Sequence, residues 1–256
     1  MRVRSPTRRL AAAAIGFVFL SLPVTAQRPV LKVPYGVGER LEYDVKFGRL
    51  RVGSGSMEVV GVEDVRGIDS WHTVFRVHAG NMFYRVNDQF ESWIDRSTGN
   101  SLRFQQNLSE GRRDVERIFD IFPERSAFIE QGDTLEKSVR HPLDDGSFLY
   151  FLRTIPLVVG ETYTFDRYFR PDRNPVTIKV VRKERIEVPA GTFDAIVVQP
   201  VIKTKGIFSE NGHAEVWLSD DPSRIMLQMK SGLSIGSINL YLTSFRPQGK
   251  YIVGQR

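Results

Sequence analysis

Apolar and polar residues alternate along much of this chain. In residues 41–47, apolar or aromatic residues occupy every second position and charged residues lie between them. Side chains of a β-strand point alternately to its two faces, so this pattern predicts a half-buried strand. The same alternation recurs in residues 71–77, 102–108, 163–169, 176–180 and 214–218.

Short segments rich in glycine, proline, asparagine and aspartate separate these runs. They lie at residues 67–69, 97–100, 132–133, 171–175, 189–191 and 220–222. Strands at this spacing predict an all-β, predominantly antiparallel fold of roughly a dozen strands. The sheet is expected to be an open curved sheet, a closed barrel or a sandwich, and the pattern alone leaves these alternatives open.

One segment departs from the two-residue period. Asp144 and the three residues after it are typical of a helix start, an almost wholly apolar run follows, and Pro156 ends it. We therefore predict a short buried helix near residues 146–154, which plugs a barrel mouth or lies across the sheet. Residues 37–246 are expected to form one domain with a seam at 140–160, preceded by an extended lead-in at 27–36 and followed by a tail at 247–256.

The first 26 residues have the pattern of a secretory signal peptide. Four arginines precede an apolar run over residues 10–22, and small residues precede a cut after Ala26. Arg8 and Arg9 also give a faint twin-arginine pattern, so the export route stays open. No second long apolar run follows, so we expect a periplasmic or secreted protein without a membrane span after cleavage.

Charge and cysteine content exclude several classes of function. Removing the four leader arginines from 36 basic residues leaves 32 against 30 acidic residues, a net charge of +2. This balance, without an interleaved basic and aromatic patch, argues against nucleic-acid binding. The chain has no cysteine, which excludes disulfides, thiol catalysis, cysteine-ligated zinc and a lipid anchor on cysteine.

Catalytic motifs fail their structural requirements. Residues 232–236 match G-x-S-x-G, but a strand-like segment follows Ser234 and the last histidine, His213, lies upstream. His213 and Glu215 match H-x-E without the cysteines of zinc deaminases, and four scattered histidines predict no metal or cofactor. No catalytic residue is assigned. A hydrolase is the least favoured alternative, and its available carboxylates are Glu42, Asp44, Glu91, Asp95 and Glu215.

Two of the three tryptophans fall on polar strand faces. By strand parity Trp93 lies beside Glu91, and Trp217 lies beside His213 and Glu215, whereas Trp71 falls on an apolar face. An aromatic ring among charges is typical of a contact surface. The alternative is that a loop or the helix covers these faces and makes a second core layer.

The order of several short motifs resembles a known family. These are GERLEY at residues 38–43, DGSFLYFLR at 145–153, EVPAGTF at 187–193 and EVWLSDD at 215–221, followed by Arg224. Together they resemble the bacterial secreted family called domain of unknown function 3108, over residues 37–245. Ile225 and Met226 depart from the expected pattern, in which a proline soon follows the arginine. The resemblance implies an exported all-β protein without established activity.

Five residues in these motifs are assigned to turns. Pro189 presets a turn and Gly191 can adopt positive φ. Asp220 and Asp221 form a second turn, and Arg224 is expected to pair with one of these two aspartates.

The sequence favours a non-enzymatic envelope protein that binds a lipid or other apolar or amphipathic ligand, in a barrel or on a curved sheet. Phe148 and Phe151 of the predicted helix are the expected contacts. The alternative is an envelope module that binds a protein or glycan through Trp93, Trp217, His213 and Glu215.

Overall fold

The computed structural model describes residues 28–80, 85–111, 113–132, 134–202, 214–233 and 236–248. These residues contain fourteen strands and one α-helix, which confirms the all-β prediction. The elements are β1 Arg40–Phe47, β2 Leu50–Val65, β3 Ile68–Gly80, β4 Arg85–Asp95, β5 Ser101–Glu110, β6 Arg113–Phe122, β7 Ala127–Glu130, β8 Glu136–Lys137, α1 Asp145–Phe151, β9 Thr162–Phe165, β10 Val176–Val188, β11 Gly191–Val201, β12 Glu215–Ser219, β13 Met226–Leu233 and β14 Gly236–Arg246. Two 3₁₀ turns cover Pro123–Arg125 and Pro171–Arg173.

All fourteen strands belong to one antiparallel sheet. The strand order runs from β8 through β1 to β14 and on to β9, so the first and last strands pair in the middle of the sheet. Strands β8 and β9 are the two edges. Of the three arrangements that the sequence left open, the structure has the curved sheet that does not close.

The core lies on one face of this sheet and draws side chains from both halves. Leu41, Tyr43 and Val45 of β1 are at most 1% exposed, as their alternation predicts. They belong to one large cluster that also contains Trp71 and buried apolar residues from each of the strands β10–β14. Burial of this inner face supplies most of the driving force for folding.

Helix α1 begins where the sequence predicts and is buried in that core. The Asp144 carboxylate accepts hydrogen bonds from the backbone N–H groups of Gly146 and Ser147, and the Ser147 hydroxyl accepts one from Asp144 N–H. This reciprocal cap satisfies donors that would otherwise be unpaired at the helix start. The helix packs against β3 and β4, and it is shorter than predicted because turns replace it after Phe151.

The assigned turn residues lie in two turns. Pro189 is in the two-residue loop between β10 and β11, and Gly191, with a φ of +134°, closes that hairpin. In the β12–β13 turn, Asp221 accepts hydrogen bonds from the N–H groups of Ser223 and Arg224. The expected side-chain ion pair of Arg224 is not formed among the described residues. Asp220 instead pairs with Lys183 of β10 at 2.7 Å.

Candidate functional site

The interior beneath the helix is filled by side chains. Phe148 is 1% exposed and packs in the core, and Phe151 contacts Phe165 edge-to-face at 5.1 Å. Further along the sheet, a cluster of mutually contacting rings continues the core, with centroids 5.2–6.3 Å apart: Phe104, Phe119, Phe128 and Phe169. The helix therefore lies across the sheet as part of its core, which is one of the two placements that the sequence predicted.

Polar groups anchor both ends of the helix inside this core. At its start, the Asp144 carboxylate also accepts hydrogen bonds from the hydroxyls of Ser92 and Ser101. Burial raises the Asp144 pKa to about 6, against the opposing effect of these hydrogen bonds. Just after the helix, Arg153 forms two hydrogen bonds with Glu39, at 2.6 and 2.9 Å.

Trp93 is the centre of a hydrogen-bonded cluster on the face of β4 opposite Ser92. Its indole N–H donates to Glu63 at 2.7 Å, and its ring stacks on His72 with the centroids 4.4 Å apart. The two nitrogens of His72 lie 2.8 Å from Glu63 and 2.7 Å from Glu91. A carboxylate only accepts hydrogen bonds, so both contacts are complete when the imidazole carries both protons.

Trp217 is the centre of a matching cluster on β12. Its indole N–H donates to Glu184 at 2.6 Å. Arg182 donates to Glu184 and to Glu215, at 3.1 and 2.9 Å, and lies over the indole ring. The hydrogen bonds from Arg182 and Trp217 lower the pKa of Glu184. The indole hydrogen bond from Trp93 likewise lowers the pKa of Glu63.

The two clusters occupy equivalent places in the two halves of the sheet. Gly61, His72 and Trp93 are in register across β2–β4, and Arg182, Val197 and Trp217 are in register across β10–β12. In both halves a register shift follows the tryptophan, and another lies between the first two strands. The structure thus contains an internal repeat, and E-x-W at residues 91–93 and 215–217 was its signal in the sequence.

Both indole rings are covered by their own clusters. Trp93 is 8% exposed and Trp217 is 2% exposed, so long side chains from neighbouring strands, rather than a loop or the helix, provide the second layer. The outer surface of each cluster presents charged groups. A contact role for these tryptophans remains a prediction.

Replacing Trp93 or Trp217 by phenylalanine is expected to lower the free energy of unfolding by about 1–2 kcal/mol, because a hydrogen bond to a carboxylate is lost. Glu63 and Glu184 have lowered pKa values, so their contribution is present above their unfolded pKa of about 4.5 and is lost as the pH falls below it. Urea unfolding of the native protein and of each variant, at neutral and at acidic pH, measures the loss of the hydrogen bond and its pH dependence. Variants that keep full stability but lose an envelope partner in pull-downs would instead support a contact surface.

The remaining candidate residues are spread over the molecule. Glu42 hydrogen-bonds with Arg40, Asp44 pairs with Arg51, and Asp95 accepts hydrogen bonds that hold the turn after β4. His213 and Ser234 lie outside the described residues. Within the part of the chain that the structure describes, no group of three or more histidine, aspartate or glutamate residues is arranged to hold a metal ion.

A surface groove lies between the β1–β2 turn and the β10–β11 turn. Its volume is about 470 Å³, and its walls are Lys46, Gly48, Arg49, Glu187, Val188, Pro189 and Tyr241. The Lys46 ammonium lies 4.8 Å from the centre of the Tyr241 ring. Sequence analysis missed this groove because it is formed by two ordinary hairpin turns, about 140 residues apart along the chain, together with Tyr241 of β14.

The sequence profile of a protein family of unknown function, DUF3108, matches residues 42–243. The chain belongs to the DUF3108 family. This confirms the resemblance read from the motifs. Among curated proteins, none matches the sequence. No helix among the described residues is long and apolar enough to cross a membrane.

A solved structure shares the fold of this chain at low sequence identity. A β-barrel-like protein of the domain of unknown function DUF1849 from Brucella abortus is similar with a TM-score of 0.57 and 11% identity, covering 83% of this chain and 98% of its own. This DUF3108 protein therefore shares the fold of that β-barrel-like protein, with a curved sheet that does not close. A candidate lipoprotein from Parabacteroides distasonis is more distant, with a TM-score of 0.33 and 13% identity over 86% of this chain and 100% of its own.

Proposed function

We propose that this DUF3108 protein is a non-enzymatic protein of the bacterial envelope that binds an amphipathic, lipid-like ligand on the surface of its curved sheet. The observation that carries the proposal is the groove between the β1–β2 and β10–β11 turns, where two cations adjoin an apolar wall. Its export depends on the predicted signal peptide in residues 1–26.

The packed interior favours the surface of the sheet over the core as the ligand site. Phe148, Tyr150 and Leu152 are at most 2% exposed and fill the space that a barrel-type carrier keeps for its ligand. A lipid bound there would have to displace these side chains, and the Glu39–Arg153 ion pair holds the chain just after the helix in place. The groove needs no such rearrangement.

The chemistry of the groove matches a phosphate-bearing headgroup next to an apolar chain. Among the described residues, neither Lys46 nor Arg49 is paired with a carboxylate, so both cations are available to an anion. Val188, Pro189 and the Tyr241 ring supply apolar contact. Glu187 stands among these groups and would favour a headgroup that also carries an amine.

A direct test is the binding of a short-chain phosphatidylglycerol or phosphatidylethanolamine, kept monomeric, to residues 27–256 purified without detergent. We expect Lys46→Ser with Arg49→Ser to weaken binding at least about tenfold, because two charge-assisted contacts are lost. Isothermal titration gives the dissociation constants, and native mass spectrometry of protein from its own host shows whether a lipid-sized adduct co-purifies.

Lys137→Ser with Arg140→Ser is the matched control, because it removes the same charge from exposed positions at and just after the β8 edge of the sheet. The control is expected to bind like the unaltered protein. Equal affinity of the groove variant and the control, or no binding by the unaltered protein, would contradict the proposal.

A further inference from the structure

The β1–β2 hairpin carries the most exposed large apolar side chain of the described residues. Leu50 is 69% exposed and Phe47 is 47% exposed. They face each other across the hairpin as a register pair, so their side chains lie on the same side of it. Scattered apolar residues are common on protein surfaces, but a paired set at a hairpin tip forms one apolar projection.

The position of Phe47 explains why this apolar pair is exposed. Phe47 continues the inward-facing series of Tyr43 and Val45, which are at most 1% exposed. At the end of the sheet that series passes beyond the core, and Phe47 emerges into solvent. The apolar pattern of the strand thus extends one residue further than the packing requires.

Basic residues surround the apolar pair. Arg49 lies in the hairpin loop, and Lys46 and Arg51 form the next register pair on the other side of the ribbon. Arg51 pairs with Asp44 at 2.7 Å, whereas Lys46 and Arg49 pair with no carboxylate among the residues that the structure describes. Arg85 at the start of β4 is also exposed at this end of the sheet, since Gly53 pairs with Ala79 and Arg85 with Gly80.

We infer that this hairpin tip docks on the surface of an anionic lipid bilayer. Phe47 and Leu50 enter the boundary between headgroups and acyl chains, while Lys46 and Arg49 contact lipid phosphates. The inference rests on the proposed function, because docking would bring the adjoining groove to its ligand. Charge complementarity selects a negative membrane over a neutral apolar partner surface.

Flotation with lipid vesicles tests the docking. The mature chain is mixed with phosphatidylcholine vesicles that contain about 30% phosphatidylglycerol, and with vesicles of phosphatidylcholine alone. We expect binding to the anionic vesicles, weakened when NaCl is raised from about 0.1 M to about 0.5 M. Phe47→Ser with Leu50→Ser should weaken it at least about tenfold.

Val158→Ser with Val159→Ser is the matched control, because these valines are 56% and 45% exposed outside the hairpin. It should bind vesicles like the unaltered protein. As a second measurement, Leu50→Trp places an exposed indole at the hairpin tip. The three native tryptophans lie elsewhere in the sheet and are all buried. Its fluorescence should shift to the blue with anionic vesicles.

Vesicle binding that survives the hairpin substitution, a control that loses binding equally, or equal binding to neutral vesicles would overturn the docking. A concentration-dependent dimer that the hairpin substitution abolishes would also overturn it, in favour of a second copy of the chain. The hairpin variant should still bind monomeric short-chain lipid. If the hairpin variant binds monomeric lipid but not vesicles, the hairpin tip is the membrane contact. If the unaltered protein binds no monomeric lipid, the groove proposal is wrong, whatever the vesicle result.

Discussion

Glu39→Gln is expected to lower the free energy of unfolding by about 3–5 kcal/mol, because it leaves the Arg153 charge buried without a counter-charge. Glu39 and Arg153 are each only 3% exposed. Burial is the largest single influence and lowers the pKa of Arg153, but the hydrogen bonds and the charge attraction from Glu39, with smaller contributions from Tyr150 and Tyr43, together raise it above its usual value. Arg153 thus keeps its charge in the folded protein.

The loss of stability in Glu39→Gln is expected to be large also because Arg153 connects four segments of the chain. Its guanidinium donates to the carbonyl oxygens of Pro34 and Ser223 as well as to Glu39. It therefore joins the lead-in, the start of β1, the end of the helix and the β12–β13 turn. Loss of the counter-charge loosens all four contacts together.

Urea unfolding measured for Glu39→Gln and for Asp44→Asn separates the buried ion pair from an exposed one. Asp44 pairs with Arg51, whose side chain is 64% exposed, and loss of such a pair costs at most about 1 kcal/mol. The double variant Glu39→Leu with Arg153→Met should recover part of the lost stability. Equal costs for the two single variants would show that the buried charge is not the source of the effect.

The strands were predictable because each inner face has a local signature. The alternation of Leu41, Tyr43 and Val45 fixes both the strand and its buried face. The helix start was predictable from Asp144, since a capping residue acts within its own turn. The short strands β7 and β8 have four and two residues, which is too few for an alternation to be recognised.

The candidate site was not predictable for the opposite reason. Parity placed Trp93 and Trp217 on polar faces, but their burial depends on Glu63 and Arg182, which reach them through register and bulges between strands. The Glu39–Arg153 pair joins residues 114 positions apart. Each contact is set by the topology of the whole sheet, and a local pattern does not contain that information.

Asp144 carries the second large effect, because a single carboxylate serves both the helix and the sheet. It caps α1 through the N–H groups of Gly146 and Ser147 and holds the hydroxyls of Ser92 and Ser101. Asparagine can accept the cap hydrogen bonds and donate to a serine hydroxyl, whereas alanine does neither. We expect Asp144→Ala to be about 3 kcal/mol less stable than Asp144→Asn, from the lost cap and two unsatisfied buried hydroxyls.

The contribution of the Asp144 carboxyl to stability should decrease as the pH rises, whereas the contributions of Glu63 and Glu184 increase. The Asp144 pKa is raised from 3.8 to about 6 by burial, so the folded protein keeps this proton where the unfolded chain has lost it. The Asp144 contribution to stability is therefore full below about pH 4 and falls by about 3 kcal/mol as the pH rises to about 6 and above. Asp144→Asn removes this change. Urea unfolding of both proteins is measured from about pH 4.5 to about pH 7.5, a range that spans the shifted pKa. As the pH rises, the free energy of unfolding of the asparagine variant should increase relative to that of the native protein. A constant difference between the two would mean that Asp144 stays ionised in the folded protein, held by its serine hydroxyls and the helix start.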